Sequence, residues 1–181
     1  MAKRSPARTG EVWRTEGLPA LGPDPERAGK LHLFGQFVGD WDILECLYLE
    51  DDGTWSTSRG EVHWRWILEG RAVQDVWTSI DEESGRSIPI GTTLRFYAPR
   101  IDAWHSVWLS PVQGLVKSFI GRPVGSEIVL DGKNERGNPI RWIFSEIRPN
   151  SFRWRGEELR NPSKDWVLYE EMRIRRASPP K

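Results

Sequence analysis

"RGEVHWRWILEGRAVQDVW", residues 59–77, holds three tryptophans, one histidine and three arginines in nineteen positions. Read at a period of two, Val62, Trp64, Trp66 and Leu68 fall on one face, and Glu61, His63, Arg65 and Ile67 on the other. The clean apolar set predicts a half-buried strand with both indoles turned inward. Glu69 and Gly70 form the turn, and "AVQDVWTS" is a second strand. There Val73, Asp75 and Trp77 share one face against Ala72, Gln74, Val76 and Thr78. Asp75 is thereby a candidate inward carboxylate on an aromatic strand.

The same punctuation continues in both directions. "DWDILECLYLE", "TWSTSRGEVHWRWIL", "AVQDVWTSI", "IPIGTTLRFYA", "AWHSVWLS", "GLVKSFIGRP", "SEIVL", "PIRWIFSEI", "SFRWRGEEL" and "WVLYEEMRIRR" are separated by turns rich in Gly, Asp, Asn and Pro. Ahead of them a helix is expected, with Asp24 as its cap and Pro25 in its first turn. Leu31, Phe34 and Val38 repeat at helical spacing, and Gly39 stands where a left-handed residue would end it. About ten hairpin-linked strands form a meander, and a long meander removes its exposed edges by closing. The expected fold is all-β, a closed antiparallel up-and-down barrel with one short N-terminal helix plugging an end. A two-sheet sandwich is the alternative. The domain is expected over residues 24–176, with a disordered tail over 1–23 and a short tail over 177–181.

A chain of 181 residues suits one such domain. Lys+Arg and Asp+Glu are equal at 26 each and interspersed, so no global field recruits nucleic acid or an anionic membrane surface. The single cysteine, Cys46, excludes an internal disulfide and a cysteine-based zinc cluster, and reads as a small buried hydrophobe. Three isolated histidines, His32, His63 and His105, show no metal-ligand spacing, so no metal is expected. There is no P-loop, dinucleotide fingerprint or serine elbow. No apolar run is long enough to span a membrane, and the basic N-terminus lacks the apolar core of a signal peptide. A soluble cytoplasmic protein is the expectation. Eleven tryptophans against three tyrosines is the compositional bias that the fold or a ligand must use.

At "FVGDWDI" a short helix meets the first strand with glycine, one residue, then tryptophan. This resembles the lipocalin-like (calycin) barrels, in which such a tryptophan closes one end beneath an arginine of the last strand. Gly39 and Trp41 match, and Arg173, Arg175 or Arg176 would supply the cover. "LEGRAVQDVW", "GTTLRFYAP", "RWIFSEI" and "SFRWRGEE" resemble uncharacterised bacterial intracellular barrels of that superfamily. The resemblance spans residues 30–176 and implies an interior cavity for a small, mostly apolar molecule. The chain lacks the glycine-rich opening of haem-binding nitrobindin-like barrels, so haem is not implied, and no other cofactor is expected.

Alternation leaves several strands with two mixed faces. "TTLRFYA" sets Leu94 and Phe96 against Thr93, Arg95 and Tyr97, and "AWHSVWLS" sets His105, Val107 and Leu109 against Trp104, Ser106 and Trp108. "IRWIFSE" sets Trp142, Phe144 and Glu146 against Arg141, Ile143 and Ser145. An interior holding Arg95, Tyr97, Trp108 and Arg141 would place two guanidiniums beside aromatic walls, suited to an anionic group. The competing arrangement puts the arginines outside, paired with acids across strands. The expected ligand-binding residues are Trp64, Trp66, Arg95, Tyr97, Trp108, Arg141, Trp142 and Trp154. His105, with Asp75 or Glu170 as partner, is the candidate for acid–base catalysis.

Three function classes follow. The first is a carrier of a small hydrophobic or aromatic, anionic molecule. The second is an isomerase, cyclase or lyase using proton transfer on the same scaffold. The third is an interaction module whose outward tryptophans build a homodimer face.

Overall fold

The computed structural model describes residues 20–160 and 165–178. Ten strands run in sequence: β1 (Gly39–Leu49), β2 (Trp55–Ile67), β3 (Ala72–Ile80), β4 (Ser87–Ala98), β5 (Ala103–Ser110), β6 (Leu115–Val124), β7 (Glu127–Lys133), β8 (Pro139–Arg148), β9 (Ser151–Arg160) and β10 (Asp165–Arg176). Each pairs antiparallel with its neighbours in sequence, and β10 closes on β1, with Trp41 opposite Arg176 and Tyr48 opposite Glu170. The meander is therefore a closed barrel, and the sandwich is excluded.

Asp24 caps a 3₁₀ turn (Pro25–Arg27), its Oδ1 accepting from the Glu26 N–H at 3.0 Å. The helix α1 follows (Ala28–Gly35). It stops earlier than the sequence predicts. Val38 lies beyond it, and Phe37, in a following turn closed by Phe37 N–H to Phe34 O, takes the buried place instead. Leu31, Phe34 and Phe37 are almost fully buried across one mouth of the barrel. Residues 1–19, most of the expected tail, lie outside the described residues. Ala20 is already tied to the barrel, its N–H donating to Trp66 O.

This end is sealed by aromatic packing. Phe37 sits 4.8 Å from Phe152 and 5.3 Å from Trp64, and Phe34 lies 4.9 Å from Trp104, all ring centroid to centroid. Rings of this size bury roughly 150–250 Å² each, so a few of them close a wide opening. Trp41 lies beneath, its Nε1–H donating to Phe37 O at 2.6 Å. Of the three candidate arginines, Arg176 covers it, with the guanidinium carbon 4.0 Å from the indole centroid. The same guanidinium donates to the carbonyls of Gln36, Val38 and Pro149, binding the helix exit, β10 and the β8–β9 turn together. Arg173 and Arg175 instead face Glu45 and Asp42 outside. Gly39 has φ +132°, and a Cβ there would stand 2.5 Å from Arg176 Nη1, so glycine is needed both for the bend and for the approach.

Two irregularities change which residues face inward. In β1 the register shifts between Ile43 and Cys46, so Trp41 and Ile43 point in, Leu44 is exposed, and Cys46 and Tyr48 resume the inner face. In β10 the register shifts between Leu168 and Glu170, bringing both Tyr169 and Glu170 to the interior. Leu68, expected inside, belongs to the β2–β3 turn at φ 53° and is half exposed.

Replacing Arg176 with methionine removes three charged hydrogen bonds and the cover over Trp41. It is expected to lower unfolding stability in urea by about 2–4 kcal/mol. Arg176→Lys should recover less than half, because a single ammonium cannot span the three carbonyls.

Candidate functional site

A cavity of about 500 Å³ occupies the barrel above the aromatic floor and opens at the end away from α1. Its walls carry Trp64, Trp77, Trp108, Trp142 and Trp154, five of the chain's eleven tryptophans. Trp108 and Trp142 meet edge to face at 6.1 Å, Trp142 and Trp154 at 5.3 Å, and Trp77 lies 5.8 Å from Trp108. Tyr169 accepts from Trp142 Nε1–H at 2.7 Å and spreads its ring over Gly156, where a Cβ would stand 2.6 Å from it. That indole donor is thus satisfied within the wall.

The strand faces that sequence left open are settled by pairing. Thr93 stands opposite Trp108, and Arg95 opposite Ser106, so the polar set of β4 and the Trp104, Ser106, Trp108 set of β5 share the interior. Further round, Leu130 pairs with Trp142, which turns Trp142 and Phe144 inward and Arg141 outward. Arg141 is therefore not a cavity residue. It ion-pairs with Glu157 and lies over the Trp166 ring at 4.1 Å on the outer face. His105 also lies outside, 5.1 Å from the half-exposed Phe96 ring, with the sheet between it and Asp75. The expected meeting of His105 with Asp75 or Glu170 in the interior is not what the fold builds. None of the three histidines lines the cavity. Among the described residues no group of His, Cys, Asp or Glu is placed to hold a metal ion.

Of the other expected ligand contacts, Trp64, Arg95, Trp108, Trp142 and Trp154 line the cavity. Trp66 and Tyr97 face inward but too close to the plugged end. Trp66 packs against Gly35 of α1, and Tyr97 hydrogen-bonds Asp102, with the Lys30 ammonium 5.6 Å from its ring.

The charged residues of the lining are Asp75, Arg95, Lys117, Glu135 and Glu170, and two sites of different character stand out. At the floor, Asp75 and Arg95, each 3% exposed, form an ion pair. Asp75 also accepts from the Thr93 N–H at 3.3 Å. The Arg95 guanidinium lies 4.4 Å from the Trp64 ring and 5.2 Å from Phe34. Burial lowers its proton affinity from the ordinary value, and Asp75 pulls the other way.

Nearer the mouth, Glu170 has no arginine partner among the described residues. Burial pushes its carboxyl up to about 7, with the Lys117 ammonium and the Cys46 thiol pulling back. Cys46 Sγ is 3.7 Å from Glu170 Oε1, and its thiol is raised to about 12 by burial and by that carboxylate. Lys117 makes no hydrogen bond or ion pair among the described residues. From sequence Glu170 is expected only as a partner for His105, and Lys117, Tyr169 and Trp77 are not among the expected ligand contacts. Trp77 shares a face with Asp75 and was within reach of alternation. Tyr169 was hidden by the β10 bulge.

The chain matches no protein-family model and no curated protein. Solved structures do share its fold. Rv2717c from M. tuberculosis is 11% identical, with 86% of this chain and 99% of that one covered at a TM-score of 0.60. The S-type phycobiliprotein lyase of Guillardia theta is 12% identical, with 88% and 100% covered at a TM-score of 0.55. At such identity the likeness is one of architecture: the chain has the form of a closed ten-strand antiparallel barrel.

Proposed function

We propose that the protein binds a small aromatic or otherwise apolar molecule bearing one anionic group, inside the barrel. The observation that carries this reading is the cavity itself. It is about 500 Å³, walled by five indoles, closed at the floor and open at the other end beside the Lys117 ammonium, which has no ion pair among the described residues. That volume is in the range of small-molecule sites, and a few polar groups on an apolar wall is their usual composition. Likeness to a barrel named as a phycobiliprotein lyase accords with a scaffold that handles a small molecule. Lys117 replaces the expected Arg141 as the anchor for the anion, with the ring system lying between Trp108, Trp142 and Trp154.

Titration with 8-anilinonaphthalene-1-sulfonate is expected to give single-site saturation with quenching of tryptophan emission. Lys117→Met should weaken it roughly tenfold, and Arg141→Met should leave it unchanged. Absence of saturable binding by this and other aromatic anions would defeat the proposal.

A second reading, proton transfer on the bound molecule, is favoured by Glu170. A carboxyl near 7 in an aromatic cavity exists in both protonation states at neutral pH, as an acid–base group requires. Under this reading Glu170→Gln keeps ligand binding and abolishes enzyme-catalysed deuterium exchange at acidic C–H positions of a bound ketone.

Glu170 also sets a pH dependence. Its folded-state value lies above the ordinary carboxyl value of 4.5, so between 4.5 and about 7 the folded protein holds more protons than the unfolded chain. Stability therefore falls as pH rises through that window, by up to about 3 kcal/mol above it. Glu170→Gln should raise the unfolding midpoint at pH 8 and leave it nearly unchanged at pH 4. The same substitution should flatten the loss of anion affinity that ionised Glu170 imposes above pH 7.

A further inference from the structure

The floor of the cavity holds a guanidinium with N–H groups that no described residue uses. Arg95 makes a single hydrogen bond among the described residues, from Nη1 to Asp75 Oδ2. Its Nε is buried without a partner, and Nη2 donates to no described residue. Trp64 Nε1, on the ring stacked 4.4 Å from the same guanidinium carbon, is likewise buried without an acceptor. So is the hydroxyl of Ser106, the cross-strand neighbour of Arg95. Orphaned buried donors cost about 1–3 kcal/mol each and are rare in native folds. Here they surround Arg95, whose guanidinium and the neighbouring Trp64 ring line the cavity, while Ser106 lies behind that wall.

The missing partner is an acceptor, and its charge can be argued. Asp75 already neutralises Arg95, in a layer packed against the rings of Phe34, Trp64 and Phe144. A carboxylate placed there would be a second anion facing one cation, uncompensated in a low-dielectric site. A neutral oxygen accepts from the free edge of the guanidinium without that penalty. We infer that the cavity floor is a carbonyl-recognition subsite, taking the neutral oxygen of a ketone, lactam or imide on an otherwise apolar ring system. The inference rests on the ligand-binding reading above and adds an orientation. The carbonyl enters first, toward Arg95 and Trp64, and any anionic group trails toward Lys117 at the mouth.

Three tricyclic probes of one skeleton test it: 9-fluorenone, fluorene and fluorene-9-carboxylate. Affinities are read by quenching of tryptophan fluorescence in the full chain, and the carbonyl stretch of bound fluorenone by infrared difference spectroscopy. Fluorenone is expected to bind about tenfold or more tightly than fluorene, with its carbonyl stretch moved to lower frequency. In the double variant Asp75→Asn, Arg95→Met, which leaves no unpaired buried charge, that preference should disappear while fluorene binding persists. Equal affinity for fluorenone and fluorene in the unaltered protein overturns the subsite and leaves the cavity reading standing. Tightest binding of the carboxylate, lost with Arg95 and kept without Lys117, overturns the neutral-oxygen argument in favour of an anion at the floor. Failure of all three probes to bind defeats the ligand-binding reading and the subsite with it. The comparison of probes on the unaltered protein stands whether or not the double variant folds.

Discussion

Closure of β10 onto β1 is the constraint from which the other features follow. Once that seam forms, no strand edge is left to pair with another chain, and the backbone hydrogen bonding of the sheet is complete around the circuit. A closed sheet widens with strand number, and ten strands enclose more space than the eight whose interior side chains just fill it. Large side chains are the available remedy, which accounts for the tryptophans that point inward, while Trp55 is exposed and Trp166 lies on the outer face. One end is filled to solidity by α1 and the rings of Phe34, Phe37, Trp41, Trp64 and Phe152, and it is held shut by Arg176. The remainder is lined with indoles but not filled by them, and that shortfall is the site.

Much of this architecture could be read from residue order, because period-two alternation and turn chemistry are local properties. The ten strand segments, the capped turn at Asp24, and Gly39 with Trp41 all appear in the fold as the pattern suggests. Only the choice among three arginines needed tertiary structure, since Arg175 and Arg176 are a single residue apart and face opposite ways. What alternation could not supply was the inward face of strands carrying two mixed sides. Arg95 and Arg141 have similar neighbours in sequence, yet one is the most deeply buried cation described and the other lies outside on Trp166. The decision is made by cross-strand register accumulated around the barrel, a non-local quantity. Bulges add a second failure, because each one reverses the parity beyond it. Cys46 and Tyr48 in β1, and Tyr169 beside Glu170 in β10, reach the interior through such shifts.

The two bulges also lie next to each other across the seam. Tyr48 is opposite Glu170, and Cys46 is opposite Met172, so both irregular strands present polar groups to the same part of the cavity. A regular β10 would have directed Tyr169 away from the interior and left Trp142 Nε1 without its acceptor. The bulge thus settles one buried donor and brings an acid into the same wall.

That acid is placed where it weakens the fold. Asp75 is neutralised by a guanidinium in contact with it, whereas Glu170 has only a more distant ammonium and a thiol, and its carboxyl stays near neutrality as a result. A glutamine or methionine in its place would pack as well and remove the penalty of ionisation above pH 7. Retaining a costly ionisable group inside a cavity is the pattern of a residue kept for what it does to a ligand. With the floor pair electrically neutral and the other charged groups of the lining, Lys117, Glu135 and Glu170, away from it, the cavity has a polarity along its axis. A molecule with one uncharged acceptor and one charged end fits it in a single direction, so orientation is set by electrostatics before any shape of the walls is considered.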